Sequence, residues 1–212
     1  MSVIAIAGAG GGLGPVVVKR LKDDGHTVAG IDRDPDALAK CGGVDDAQAV
    51  DLLDPEAAQA WAKSLTDQFG RVDALVHLVG GWRGGTLIDE TPEEDWEFLR
   101  SLLVDTLRHA SRAFLPALRD AGGRFLLVSS SQAQRPDAKN AAYAAAKAAA
   151  ETWTLAMARD LAEHGGTANV LVVHAIGDQP TFTPPADLAE AIAFALGERG
   201  GRMNGQRLSL HG

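Results

Sequence analysis

The 212-residue sequence contains a single tyrosine, Tyr143, and one of its six lysines, Lys147, stands four positions later. On a helix, residues four apart share a face. An ammonium near a phenol stabilises the phenolate and lowers a pKa that starts at about 10, which would let Tyr143 exchange a proton with a substrate near neutral pH. Three consecutive serines, Ser129, Ser130 and Ser131, close an apolar run upstream of this pair. A hydroxyl there is suited to binding a substrate oxygen and stabilising the charge that develops on it. At the other end of the chain, the apolar run Val3–Ala7 leads into Gly8-Ala9-Gly10-Gly11-Gly12-Leu13-Gly14. A glycine loop between a strand and a helix lets backbone N–H groups approach a pyrophosphate with no Cβ in the way.

These groups need a scaffold that brings the two ends together, and the chain alternates short β-rich apolar runs with longer helical patterns. That alternation predicts a doubly wound α/β domain, one Rossmann unit over residues 1–212, with a parallel sheet of about seven strands and helices on both faces. Strands are predicted at Val3–Ala7, Thr27–Asp32, 47–50, 74–79, 125–128, 169–175 and Arg207–Leu210, and helices at 13–24, Pro55–Phe69, 141–163 and 186–196. Thr91-Pro92-Glu93-Glu94 has the form of a capping box and opens a further helix towards Leu118. In such a fold, ligands sit beyond the carboxyl ends of the strands, where both the glycine loop and the serines fall.

Asp32 ends the second strand, and its carboxylate is placed to accept hydrogen bonds from an adenosine ribose diol and to repel a 2′-phosphate, favouring NAD over NADP. Arg33 beside it is suited either to pairing with a 2′-phosphate or to stacking on adenine, so NADP stays possible. The same carboxylate would also serve as a turn former in Asp32-Arg33-Asp34-Pro35.

The glycines do not fit GxGxxG in any frame, whereas GxxxGxG fits at Gly8, Gly12 and Gly14. With that loop, the serines and Tyr143-x-x-x-Lys147 in order, the sequence resembles the short-chain dehydrogenase/reductase family over nearly its whole length. The resemblance implies hydride transfer between a nicotinamide and a carbonyl or alcohol. It makes Tyr143 the general acid/base, Lys147 its partner and ribose ligand, and Ser130, thirteen residues before the tyrosine, the catalytic serine. It further implies cofactor contacts from Gly8, Gly12, Leu13, Gly14, Asp32, Arg33, Asp51, Leu52, Val79 and Gly80. Asp51 would sit by the adenine amino group; a solvated loop aspartate is the competing reading.

The chain departs from the family in three places. His77-Leu78-Val79-Gly80 stands where Asn-Asn-Ala-Gly is usual, Leu103 falls at the helix asparagine of the usual proton relay, and Val173-His174 replaces the usual Pro-Gly. Few residues separate Val173-His174 from the closing Asn204-Gly205-Gln206 segment, so the substrate lid is expected to be short and the site open. Trp82 in Gly80-Gly81-Trp82-Arg83-Gly84-Gly85, with the compact ending, is similar to the dihydropteridine reductase branch and suggests reduction of a quinonoid or other flat ring. Loss of the relay asparagine suggests a third possibility, a binding protein that senses cofactor without turning it over.

Composition narrows the partners. A formal net charge of -8 opposes nucleic acid, one cysteine rules out an internal disulfide, and no metal-ligand spacing appears among six histidines. A small-molecule substrate, no membrane partner, a cytoplasmic setting and a homodimer or homotetramer paired through the 96–118 and 141–163 helices are the expectations. The family resemblance supplies the last of these.

Overall fold

The computed structural model describes residues 1–210. Seven strands, β1 (Val3–Ala7), β2 (Thr27–Asp32), β3 (Asp46–Ala49), β4 (Ala74–His77), β5 (Arg124–Ser130), β6 (Thr167–Val173) and β7 (Arg207–Leu210), form one sheet. Their order is β3-β2-β1-β4-β5-β6-β7, and every pairing is parallel. The helices are α1 (Gly14–Asp23), α2 (Pro35–Cys41), α3 (Pro55–Phe69), α4 (Glu93–Arg100), α5 (Thr106–Ala121), α6 (Ala141–Ala162) and α7 (Pro185–Leu196).

Alternation along the strands divides the core. Ala5 and Ala7 face one way, towards Trp61 of α3, Phe114 of α5 and Met157 of α6; Ile4 and Ile6 face the other, towards Val17 of α1, Leu38 of α2 and Ile192 of α7. Such two-sided burial is what continuous apolar strands require. Trp61 and Phe114 meet edge to face with centroids 4.5 Å apart and lock α3 to α5.

Several boundaries correct the sequence reading. β5 runs on through Ser130, and β6 begins at Thr167 instead of 169. The residues read as a turn at Asp32–Pro35 open α2: Asp34 accepts from the backbone N–H groups of Asp36 and Ala37, and Pro35 takes the first helical turn. The capping box does not form, because the Thr91 hydroxyl donates to Leu87 O and the helix starts at Glu93 behind Pro92. The single helix expected up to Leu118 is instead two, α4 and α5, joined by a π-helical turn at Ser101–Asp105. There the Thr106 N–H reaches back to Ser101 O. The Thr106 hydroxyl takes the carbonyl of Leu102, 2.6 Å away, that an α-helix would have given to that N–H.

Candidate active site

The chain leaves β3 at one edge and returns to β4 beside β1, so the crossover reverses between β1 and β4. A crevice opens there at the carboxyl ends of the strands. Gly8 follows β1 with φ +83°, and a Cβ on it would lie 2.9 Å from Val79 N, the loop after β4. A Cβ at Gly14 would lie 1.8 Å from Ala9 O, so the loop can fold back onto α1 only with glycine there. Around Gly12 nothing lies within 4 Å of a Cβ position, which leaves that part of the cradle open. α1 begins without a side-chain cap or an acidic residue in its first turn, so its N–H groups are available to an anion.

Two lobes run from this loop. One, about 360 Å³, is lined by Asp32, Arg33, Asp51, Leu52 and Val79; the other, about 820 Å³, by Gly12, Leu13, Ser130, Tyr143, Lys147 and His174. Gly8, Val79 and Gly80 line both, so the lobes form one continuous groove. The residues expected at the adenosine end and those expected at the nicotinamide end thus meet on one groove. Asp32 accepts from Gly10 N and Asp34 N, both at 3.1 Å, and so ties the glycine loop to the start of α2. His109 Nδ1 lies 2.9 Å from Leu52 O and positions that loop. The exposed Asp51 accepts from Leu53 N.

At the chemical end, Tyr143, Lys147 and Glu151 occupy one face of α6. Lys147 is 6% exposed, and its ammonium donates to Val128 O at 3.0 Å. Burial pulls its pKa down to about 8, against the opposing field of Glu151. Burial raises the Tyr143 phenol above its ordinary value, and only its interaction with Ser130 works the other way. The sequence-based expectation that Lys147 lowers the Tyr143 pKa is therefore corrected for the protein without cofactor: the ammonium is 6.0 Å from the ring centroid and directed to a carbonyl. Ser130 lines the groove and also caps the 3-10 turn Ser131–Ala133 through Gln132 N at 3.3 Å.

Two buried groups beneath the groove were missed in the sequence. The Glu151 carboxylate, 1% exposed, accepts from Ser129 Oγ, Gln134 Nε2 and Arg207 Nε, each at 2.6 Å, and so binds α6 to β5, its following turn and β7. Spacing places Glu151 on the Tyr143 face, but its partners come from three separate elements. The fourth strand, expected over 74–79, ends at His77, which is buried with Nε2 3.4 Å from the Thr106 hydroxyl. Leu103 packs with Leu99 and Ala146 against Tyr143 and contributes nothing polar. Asp105 is paired with Arg100 and Arg108 and cannot replace the missing asparagine. Leu103→Asn is accordingly expected to lower stability by about 1–3 kcal/mol, the cost of an unpaired buried amide, and to raise turnover less than about threefold. Denaturant midpoints and steady-state rates of the two proteins check both.

The segment after β6 that was expected to form a lid is bonded to itself and to β7. Ile176 bridges Thr183, Gly177 N donates to Thr183 O, and the Thr183 hydroxyl donates to Leu210 O of β7. Trp82 is 60% exposed, and its indole N–H donates to Asn140 Oδ1 at 3.1 Å on the rim of the larger lobe.

A parallel sheet with a glycine-lined crevice at its reversal point, flanked by an aspartate and by Tyr143 with the buried Lys147, defines a dinucleotide-binding oxidoreductase. Comparison with known proteins gives the family: residues 2–182 match the short chain dehydrogenase model, and the chain belongs to that family of NAD(P)-dependent oxidoreductases. It is 28% identical to the 3-oxoacyl-[acyl-carrier-protein] reductase of Vibrio cholerae, over 99% of this chain and 96% of that one. It is 30% identical to the 2,3-dihydro-2,3-dihydroxybenzoate dehydrogenase of Bacillus subtilis, over 78% of this chain and 66% of the relative. Among solved structures, a 3-ketoacyl-(acyl-carrier-protein) reductase from Brucella melitensis complexed with NADH superposes with a TM-score of 0.90 at 26% identity. That match covers 100% of this chain and 97% of the other.

Proposed function

We propose that the 212 residues act as one cofactor-binding domain that transfers hydride between nicotinamide and a carbonyl or alcohol carbon, with Tyr143 as acid/base. The observation that carries this reading is the convergence of Ser130, Tyr143 and Lys147 on one groove continuous with the glycine loop. When bound, the nicotinamide supplies or accepts the hydride. The protein's own groups handle the oxygen: Ser130 holds it, Tyr143 gives it a proton or takes one away, and Lys147 stabilises the charge left on the phenol. A cofactor sensor would have no use for all three groups around one cavity, which argues against that alternative. A panel of carbonyls with NADH and of alcohols with NAD, followed by cofactor absorbance, tests the reading; absence of turnover across the panel, with cofactor bound, would favour the sensor.

Trp82 on the rim supports a second reading, reduction of a flat conjugated ring stacked on the indole. Turnover of a quinonoid pterin by NADH that is indifferent to Ser130→Ala would single it out.

The carboxylate of Asp32 at the end of β2 supports NAD as the cofactor, as its charge opposes a 2′-phosphate. NADH is expected to bind more tightly than NADPH in parallel titrations; the reverse order would hand the choice to Arg33. A cytoplasmic setting fits the one cysteine, Cys41, which is buried and free. Among the described residues no helix is long and apolar enough to cross a membrane. Pairing through the 96–118 stretch, which spans α4, the π-turn and α5, and through α6 into a homodimer or homotetramer completes the proposal.

A further inference from the structure

His77 is 1% exposed, and its Nδ1 is one of two buried side-chain atoms without a hydrogen-bond partner among the described residues. Its protonation follows from its neighbour. The Thr106 hydroxyl has one hydrogen and gives it to Leu102 O at 2.6 Å, so towards His77 it can only accept. The ring nitrogen 3.4 Å from it, Nε2, must then carry the proton. Nδ1 is left as a lone pair in an apolar interior, where a polar atom without a partner costs about 1–3 kcal/mol. Such an atom is expected to find a donor.

The charge that acts on the ring is the Lys147 ammonium. His77 is in register with Leu127, and the next residue of that strand, Val128, holds the Lys147 ammonium on its carbonyl. An ammonium has three N–H groups, so two remain for other partners. We propose that the His77 imidazole is the acceptor that positions Lys147, through one bridging water, in place of the asparagine that Leu103 has displaced. The π-turn is part of the device, because it frees Leu102 O to bind the Thr106 hydroxyl and thereby fixes the tautomer. Burial first and the Lys147 charge second hold the His77 pKa at about 3, so the imidazole remains neutral and does not repel the ammonium. The other groups near Lys147 are Tyr143 and Glu151 on α6 and, in the same lobe of the groove, Ser130 and His174; Glu151 is itself held by Arg207 on β7.

The proposal deepens the assignment of Lys147 as the partner of Tyr143, and it is tested in the protein without cofactor or substrate, so its failure is distinct from failure of the proposed reaction. Nitrogen-15 NMR should find His77 protonated at Nε2 and not at Nδ1. Carbon-13 NMR at the lysine Cε positions should show the Lys147 proton affinity falling about tenfold in His77→Leu, one pH unit, because an acceptor of the charged form is gone. His77→Asn, whose carboxamide oxygen also accepts, should restore it. An Nδ1-protonated His77, or the same Lys147 titration in wild type and His77→Leu, would overturn the proposal. If His77→Leu fails to fold, the tautomer in the wild-type protein decides alone.

Discussion

Tyr143→Phe is expected to lower turnover about a hundredfold or more while leaving cofactor affinity within a few-fold, the signature of a lost proton donor in an intact groove. The phenol is half-buried against Leu99, Leu103 and Ala146, contacts that phenylalanine keeps, so the fold should tolerate the change. Because burial raises the Tyr143 pKa, the phenol enters the reaction protonated at neutral pH, which suits reduction of a carbonyl. Lys147, at about 8, is charged at pH 7 and loses its proton as the pH rises through that value. Reduction should therefore weaken above about pH 8, where the ammonium that stabilises the charge left on the phenol is lost, and alcohol oxidation, which needs the same phenolate, should gain nothing from that titration. Rates measured in both directions against pH, with cofactor affinity measured separately, check this. A Tyr143→Phe enzyme that retains most of its turnover would remove Tyr143 from the chemistry and leave Ser130 and Lys147 as a binding site for the substrate oxygen.

The features readable in the sequence were those written in local spacing. A strand running into GxxxGxG must cradle something close to its backbone, and Tyr143 with Lys147 four residues on must share a helix face, whatever the tertiary structure. Asp34 and Pro35 carried an equally local signal for the start of α2, passed over because the tetrapeptide was read for Asp32, as a ribose ligand or a turn former. Thr91 shows the reverse error, a motif with the right letters whose hydroxyl is claimed by a nearer carbonyl, Leu87 O. The π-turn has no local signature, because it depends on a threonine hydroxyl winning a carbonyl from the backbone. Glu151 has no local signal in the sequence; only the register of β5 and β7 brings Ser129 and Arg207 to it and makes its burial tolerable. The field at Tyr143 was legible in its parts but not in its sum, because desolvation depends on how deep α6 sits above the sheet.

Acid should destabilise this protein through His77 well before its paired carboxylates are protonated. The imidazole is neutral in the folded state down to about pH 3, whereas in the unfolded chain it takes up a proton at its ordinary value of 6.5. Below 6.5 the unfolded state thus binds one more proton than the native state, and stability falls by about 1.4 kcal/mol for each pH unit until the folded-state pKa is reached. Lys147 is charged in both states across this range and adds no slope, while Asp45 and Asp160, held below the usual carboxylate value, act only at lower pH. His26, also depressed by partial burial, tilts the curve the same way and is common to any variant at position 77. The comparison that isolates His77 is the unfolding free energy at pH 7 and pH 4.5 in wild type and His77→Asn. The wild-type protein should lose about 2–3 kcal/mol more over that interval, even if the variant is less stable at both values. Equal losses would mean that His77 takes up its proton in the folded state, so that burial and the Lys147 charge do not hold the imidazole neutral.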